Sequence, residues 1–187
     1  MMDPTAEAVL DFWFGAGPPV WRKLWFLKDP DFDAACARFA PAREAALAGA
    51  CDSWAETPRG VLALLILLDQ FSRNLFRDRA EAFAADPRAR ALAGAALERG
   101  FDRGLTPIER VFLYLPVMHS EDLADQDLSV SLCEALPPIE GAPVVESAYR
   151  HRDVIRRFGR YPHRNAALGR ASTPDELAYL AEPGAGF

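Results

Sequence analysis

The sequence has few cysteines and no long apolar run. The three cysteines are far apart and lack Cys-x-x-Cys spacing, which argues against a disulfide framework and a zinc knuckle. The longest apolar run, 61–68, is far shorter than the ~20 residues that a membrane-spanning helix needs. The N-terminus carries acidic residues where a signal peptide would be basic. We therefore expect a cytoplasmic protein that has no membrane partner.

Several patterns that identify enzymes are also missing. Gly-x-Ser-x-Gly, Walker and dinucleotide-binding glycine patterns do not occur. Lys and Arg number 21 against 27 Asp and Glu, so the net charge of -6 argues against binding nucleic acid through the overall field. No cofactor and no metal are predicted. A chain of 187 residues that is 50% hydrophobic can bury a full core, so we expect a single domain, 1–187.

Proline is placed where helices begin. An Asp or a Thr directly precedes proline six times, and such a pair supplies a side-chain cap followed by a residue that needs no N–H partner. The cap positions are Asp3, Asp29, Thr57, Asp86, Thr106 and Thr173. Two of them extend to capping boxes, Thr106 with Glu109 and Thr173 with Glu176.

The segments between these starts have helical spacing, and glycines supply plausible stops. Ile108, Val111, Phe112 and Leu115 form one i, i+3, i+4, i+7 stripe. No convincing alternating strand pattern occurs. The sequence predicts an all-α fold of about eight helices, as a tetratricopeptide-like array or an ordinary bundle. Pro41 and Pro116 should end or kink their helices.

Polar residues intrude into the most apolar helix. The helix from Pro58 begins GVLALLILL and continues with Asp69, Gln70, Arg73 and Asn74. The spacing of four places Asp69 near Arg73 and Gln70 near Asn74. Because an unpaired buried charge is costly, these groups need partners or a water-filled cavity. A satisfied structural ion pair is as good an interpretation as a functional site.

A second polar cluster follows Pro116. Ser120 is predicted as an N-cap, and acidic residues suit the first helical turn. Capping leaves His119 unexplained, as it does the surplus carboxylates of Glu121, Asp122 and Asp125. The cluster has no spacing typical of a metal site, so the indication for a metal is weak.

The third cluster, FGRYPHRNAALGR at 158–170, is basic in an acidic chain. Arg160, His163, Arg164 and Asn165 flank a turn and the start of a short helix. Arginine side chains and free helix N–H groups suit a carboxylate or a phosphate. His151, upstream, is read as a hydrogen-bonded core histidine. The excess carboxylates of the second cluster and the arginines could form two sides of one polar pocket.

Five strings carry a family resemblance: LDFWFG, LLDQFSRN, FLYLPVMHSEDLADQ, RFGRYPHRN and LGRAST. In this order, across nearly the whole chain, they resemble the bacterial family called domain of unknown function 924. The resemblance implies an all-α, tetratricopeptide-like fold and no established activity. Ser72 departs from the proline of the family pattern and leaves the helix free to continue. The motif positions are Asp69, Gln70, Arg73, Asn74, His119, Glu121, Asp122, Asp125, Gln126, Arg160, His163, Arg164 and Asn165.

The first functional hypothesis is a binding protein. Its pocket would hold a small anionic or zwitterionic molecule, or the charged end of a peptide. Arg73, Arg160 and Arg164 would bind the anion, and Asp122 or Asp125 would receive a cationic group.

Two alternatives stay open. The second hypothesis is a hydrolase-like enzyme, in which His119 or His163 is a general base oriented by Asp122, and arginines stabilise developing negative charge. No residue is indicated as the nucleophile. The third hypothesis is a structural or interaction protein whose polar clusters are buried networks.

Overall fold

The regular elements are helices. The computed structural model describes residues 2–186, and no strand occurs in that range. This confirms the predicted all-α class. The ten α-helices of the described range are α1 Pro4–Phe14, α2 Pro30–Cys36, α3 Ala40–Leu47, α4 Pro58–Leu65, α5 Ser72–Leu75, α6 Asp86–Glu98, α7 Pro107–Met118, α8 Leu123–Glu134, α9 Val144–Phe158 and α10 Pro174–Leu180.

A helix begins at each of the six predicted starts, and the predicted side-chain cap is confirmed at five of them. At each of these five the cap side chain accepts a hydrogen bond from a backbone N–H, and both predicted capping boxes form. Asp86 differs because it is the first residue of α6 and makes no cap hydrogen bond. Its carboxylate is instead engaged by two arginines, as described below.

The two internal prolines behave differently. α7 runs through Pro116 to Met118, so Pro116 does not end this helix. Pro41 lies in the first turn of α3, after a 3₁₀ turn, Ala37–Phe39, that separates α2 from α3. Proline is well tolerated there, since the first helical N–H groups have no partner within the helix.

One helix passes through the centre of the molecule. α4, a π-helical segment Ile66–Phe71 and α5 follow one another without a break, and residues 60–71 are buried. The helix continues through Arg73 and Asn74, as Ser72 predicts. The π segment contains Asp69, which is 1% exposed. A carboxylate is therefore embedded where the helix widens, and π segments are frequent at functional sites.

Aromatic rings join the first loop, residues 15–29 between α1 and α2, to this core. Trp25 stacks on Trp13 with 6.0 Å between ring centroids and meets the Phe112 ring edge-on at 4.9 Å. The indole N–H of Trp25 also donates to the Trp13 carbonyl over 3.1 Å. The loop that leads into α2 is thereby held against α1 and α7.

The α7–α8 junction is tied to the segment that follows α9. The Tyr161 hydroxyl donates to the Met118 carbonyl over 2.6 Å, and the Gln126 amide donates to the same carbonyl over 2.7 Å. Both side chains are fully buried. These bonds fix the backbone immediately before His119. Across residues 2–186, the helices are all too short or too polar to cross a membrane.

Candidate functional site

A cavity of about 520 Å³ lies where the first loop, the central helix, α7, α9 and the segment after α9 meet. All three histidines of the chain line it: His119, His151 and His163. Ring centroids of His119 and His151 are 6.0 Å apart, and Tyr161 lies 5.7 Å from His151 and 5.5 Å from His163. Residues from three distant parts of the sequence thus form one wall.

His119 is paired with the buried carboxylate of the central helix. Its Nδ1 is 2.7 Å from Oδ1 of Asp69. The backbone of His119 caps α7 through its N–H, while its carbonyl accepts from Arg164 over 2.9 Å. Asp69 therefore holds the imidazole while α7 and Arg164 hold the backbone of His119, and the side chain remains 14% exposed.

Asp69 is stabilised as an anion by its neighbours. Arg73 lies 2.9 Å from the carboxylate, which confirms the predicted i, i+4 ion pair, and Gln70 donates to it over 2.5 Å. Burial opposes ionisation of Asp69, but Arg73 and His119 hold its pKa below the usual value. The predicted Gln70–Asn74 pair does not form, because Asn74 donates to Asp33 instead.

Asp86 joins two arginines that line the cavity. Arg73 donates to it twice, over 3.1 and 3.0 Å, and Arg164 donates over 3.2 Å. The Arg164 guanidinium lies between the rings of Phe83 and Tyr161, 4.8 and 4.5 Å from their centroids. Burial and then the charge of Arg73 lower the pKa of Arg164. Two immobilised guanidinium groups therefore face one space and repel each other.

Positive charge predominates around the cavity. Among the residues that the structure describes, one carboxylate, Asp78, lines it, while Asp33, Asp69 and Asp86 support the wall from behind. The lining cations are Lys23, Lys28, Arg73, Arg77, Arg150 and Arg164. Within residues 2–186, the lining cations outnumber the lining carboxylate, in a chain whose net charge is -6.

The histidines do not add to this charge near neutral pH. Burial, followed by Arg164, His119 and Arg73, lowers the pKa of His163 to about 3. Burial also holds the pKa of His151 well below 6.5, although its Nδ1 bonds the Ser147 carbonyl at 2.7 Å. The pKa of His119 is lowered by burial, against the opposing effect of Asp69. The cavity thus combines fixed guanidinium charges with neutral imidazoles.

Part of the predicted site set is assembled here and part is not. The cavity brings together Arg73, Asn74, His119, His163 and Arg164, with Asp69 behind them. The remaining predicted residues do not line it: Glu121, Asp122, Asp125, Arg160 and Asn165. The hypothesis that the excess carboxylates face the arginines across one pocket is therefore corrected.

Asp122 and Asp125 have structural partners. Asp122, rather than the predicted Ser120, is the N-cap of α8 and accepts from the N–H groups of Ala124 and Asp125. Its carboxylate does not orient His119, since Asp69 does so. Asp125 forms an ion pair with Arg90 of α6, and this pair lowers the pKa of Asp125.

Arg160, Asn165 and Glu121 hold the last segment of the chain together. Arg160 donates to both carboxylate oxygens of Glu176, over 2.6 and 2.8 Å, and this contact lowers the pKa of Glu176 to about 2. Asn165 also donates to Glu176, over 3.2 Å. Glu121 accepts two bonds from Arg170, over 2.7 and 3.0 Å. For these residues the structural-network hypothesis describes the contacts well.

Sequence reasoning missed several cavity residues. The sequence indicates His151, which lines the cavity, only as a core residue, and Asp86, which supports the wall from behind, only as a helix cap. Arg77 and Arg150 carried no motif, although Arg150 directly precedes His151. One feature of the sequence did indicate a role for Asp86, because this residue lies among arginine-rich segments. Distance along the chain hides this role, since Asp86 and Arg164 are 78 residues apart.

Within residues 2–186, His, Cys, Asp and Glu form no group of three suited to hold a metal ion. The three cysteines are buried and free. Burial raises the pKa of Cys36 and of Cys133 to about 12, so neither is a reactive thiolate near neutral pH.

Comparison with known proteins gives a family and a fold. The profile of a family described as "Bacterial protein of unknown function" matches residues 9–184. The solved structure of a protein of unknown function from Agrobacterium tumefaciens is similar to this chain, with a TM-score of 0.86 and 43% sequence identity. The similarity covers 96% of this chain and 98% of that chain. No curated protein matches the sequence significantly.

Proposed function

This chain belongs to the bacterial family of unknown function named domain of unknown function 924, and we propose that it binds a small organic anion in the histidine-lined cavity. The ligand carries a carboxylate or phosphate group on an apolar body. A peptide that ends in a carboxylate is a larger member of the same chemical class.

The observation that carries this proposal is the pair Arg73 and Arg164. Asp86 bonds both guanidinium groups, and aromatic rings enclose that of Arg164. Groups that are held in place before binding lose little conformational entropy when they bind. An anion placed beside them relieves the repulsion between the two cations and accepts charge-assisted hydrogen bonds.

The rest of the wall suits the apolar body of the ligand. Trp21, Trp25, Phe26 and Leu115 line the cavity, together with Val144. The volume of about 520 Å³ lies within the ~300–1,000 Å³ of ordinary ligand pockets. An apolar wall beside a group of cations suits a ligand that has both an apolar body and an anionic group.

Matched aromatic ligands test the sign of the charge. Benzoate and phenyl phosphate should raise the melting temperature, while benzyl alcohol should do so less and benzylamine should not. A ligand at about one hundred times its dissociation constant adds about 2.7 kcal/mol to the free energy of unfolding. Thermal unfolding and quenching of Trp21 and Trp25 fluorescence are the measurements. Equal shifts with the alcohol and the anions would contradict the proposal.

Two arginines of α9 provide the matched variants. Arg150 lines the cavity, whereas Arg156 pairs with Asp127 on the surface and is 48% exposed. Arg150→Ala should weaken binding of the best anion about tenfold, which corresponds to a loss of about 1.4 kcal/mol. Arg156→Ala should leave its affinity unchanged. If both variants bind equally well, the anion does not occupy this cavity.

The enzyme alternative has a specific observation in its favour. His119 has a carboxylate partner, although that partner is Asp69 and not the predicted Asp122. The arginines lie on the same cavity wall and suit a developing negative charge. The His–Asp pair of this alternative therefore consists of His119 Nδ1 and Asp69 Oδ1.

A further inference from the structure

His119 and Asp69, which are in contact, are the pair of side chains best suited to a chemical role that anion binding does not use. Asp69 is an anion fixed by Arg73 and Gln70, so it accepts and does not donate a hydrogen bond. The neutral imidazole must then carry its proton on Nδ1, 2.7 Å from Asp69. The lone pair of His119 is thereby assigned to Nε2.

Nε2 opens to the cavity. Within residues 2–186, no side chain or backbone group forms a hydrogen bond with it, and it is not among the buried atoms that lack a partner. The His119 side chain lines the cavity and keeps 14% of its surface exposed. An unprotonated nitrogen therefore faces a space that a small molecule can enter.

We propose that His119 is a general base that removes a proton from a substrate in this cavity, with Asp69 as its positioning residue. The substrate is a weak acid whose conjugate base is an oxyanion. Nε2 takes the proton, Asp69 stabilises the imidazolium that forms, and Arg73 and Arg164 stabilise the negative charge left on the substrate. This activity goes beyond anion binding and does not depend on it.

Five charged or titratable side chains surround this base, and one of them is His163, in the segment after α9. Asp69 belongs to the π segment of the central helix, Arg73 to α5 and His151 to α9, and Arg164 lies in the segment after α9. Burial and the arginines keep the pKa of His119 lowered against the opposing effect of Asp69. The base consequently stays unprotonated through the neutral range.

An uncharged probe separates this proposal from anion binding. In 5-nitrobenzisoxazole, His119 Nε2 takes the proton on C3, the C–H electron pair completes the nitrile, and the N–O bond breaks. The electron pair of that bond remains on the phenolate oxygen, whose absorbance reports the rate. Full-length protein should turn the probe over with saturation. Activity should fall on acidification with an apparent pKa below about 6.5.

Variants show whether His119 is responsible for turnover of the probe. His119→Gln should lower kcat/KM about a hundredfold, the low end of what a general base contributes. Arg156→Ala, on the outer face of α9, should leave kcat/KM unchanged. Asp69→Asn should lower kcat more than it changes KM and should move the pH profile. A rate no greater than that of equimolar free imidazole, or full activity in His119→Gln, would overturn the proposal.

A second measurement needs no variant and covers the case in which His119→Gln fails to fold. The ¹⁵N shifts of the three histidines in the native protein report which ring nitrogen carries the proton. The proposal expects the His119 proton on Nδ1 and an unprotonated Nε2 at pH 7. A proton found on Nε2 would refute it, whatever the rate with the probe.

Discussion

Asp86 is the residue on which the cationic wall depends. It accepts from both Arg73 and Arg164, and it is 17% exposed. Without its charge, the two guanidinium groups would face each other across a partly buried space. Removing one partner of a buried ion pair costs more than the pair itself contributes, because an uncompensated charge remains.

Replacement of Asp86 by asparagine tests this role. Asp86→Asn should lower the free energy of unfolding by about 3 kcal/mol. Added phosphate should restore part of that loss in the variant, because an anion can replace the missing carboxylate. Urea unfolding, with and without phosphate, is the measurement.

Asp127 provides the matched control, since it also accepts from two arginines, Arg152 and Arg156. It is 52% exposed, and exposed pairs contribute at most about 1 kcal/mol. Asp127→Asn should therefore change stability little, and phosphate should have no specific effect on it. A loss of stability as large as that of Asp86→Asn would show that burial does not govern the contribution of these pairs.

At the scale of elements, a close backbone contact near the start of the central helix leaves no room for a side chain at position 60. A Cβ on Gly60 would lie 2.1 Å from the Trp54 carbonyl oxygen. Real Cβ atoms do not approach oxygen so closely, and a backbone carbonyl cannot rotate away as a side chain can. Glycine at this position lets the 3₁₀ turn Asp52–Glu56 pack against α4.

Alanine substitutions at two helical glycines distinguish the effect of this contact on stability from the effect of helix propensity. Gly60→Ala should lower the free energy of unfolding by about 1–3 kcal/mol through overpacking. Gly94→Ala in α6 should raise it by about 0.5–1 kcal/mol, since only the movable end of Arg90 is near. Chemical denaturation of both variants is the measurement. Stabilisation by both substitutions would exclude the steric explanation.

At the scale of the whole molecule, all three histidines are in one cavity and have lowered pKa values. In the unfolded chain they bind protons below about pH 6.5, whereas in the folded protein they resist protonation. The unfolded state therefore binds more protons as the pH falls, so stability must decrease. Because of these three histidines, acidification should thus lower the free energy of unfolding before most carboxylates titrate.

The pH dependence follows with a defined sign. The free energy of unfolding should be constant just above pH 7 and should fall between pH 6.5 and 4.5, by up to about 1.4 kcal/mol per pH unit for each histidine. His163→Gln should reduce the slope, because its pKa of about 3 places its titration below this window in the folded state. Urea unfolding at several pH values measures it. Equal stability at pH 7 and pH 5 would contradict the argument.

The local signals of the sequence determined the helices. A Thr or Asp before proline caps a helix through atoms that lie within three residues, so Asp3, Asp29 and Thr57 act as predicted without help from the fold. The same holds for the apolar run of the central helix, which must be buried wherever it packs. The Asp69–Arg73 pair is also local, one helical turn long.

Only the tertiary structure decided which polar residues meet. The partner of His119 is Asp69, 50 residues away, and not Asp122, which is only three residues away in the chain. Asp122 caps α8 instead, because the backbone N–H groups at the start of α8 need an acceptor. Helical spacing orders side chains within one helix but carries no information on how helices are turned toward each other, and that relative orientation is what builds the cavity.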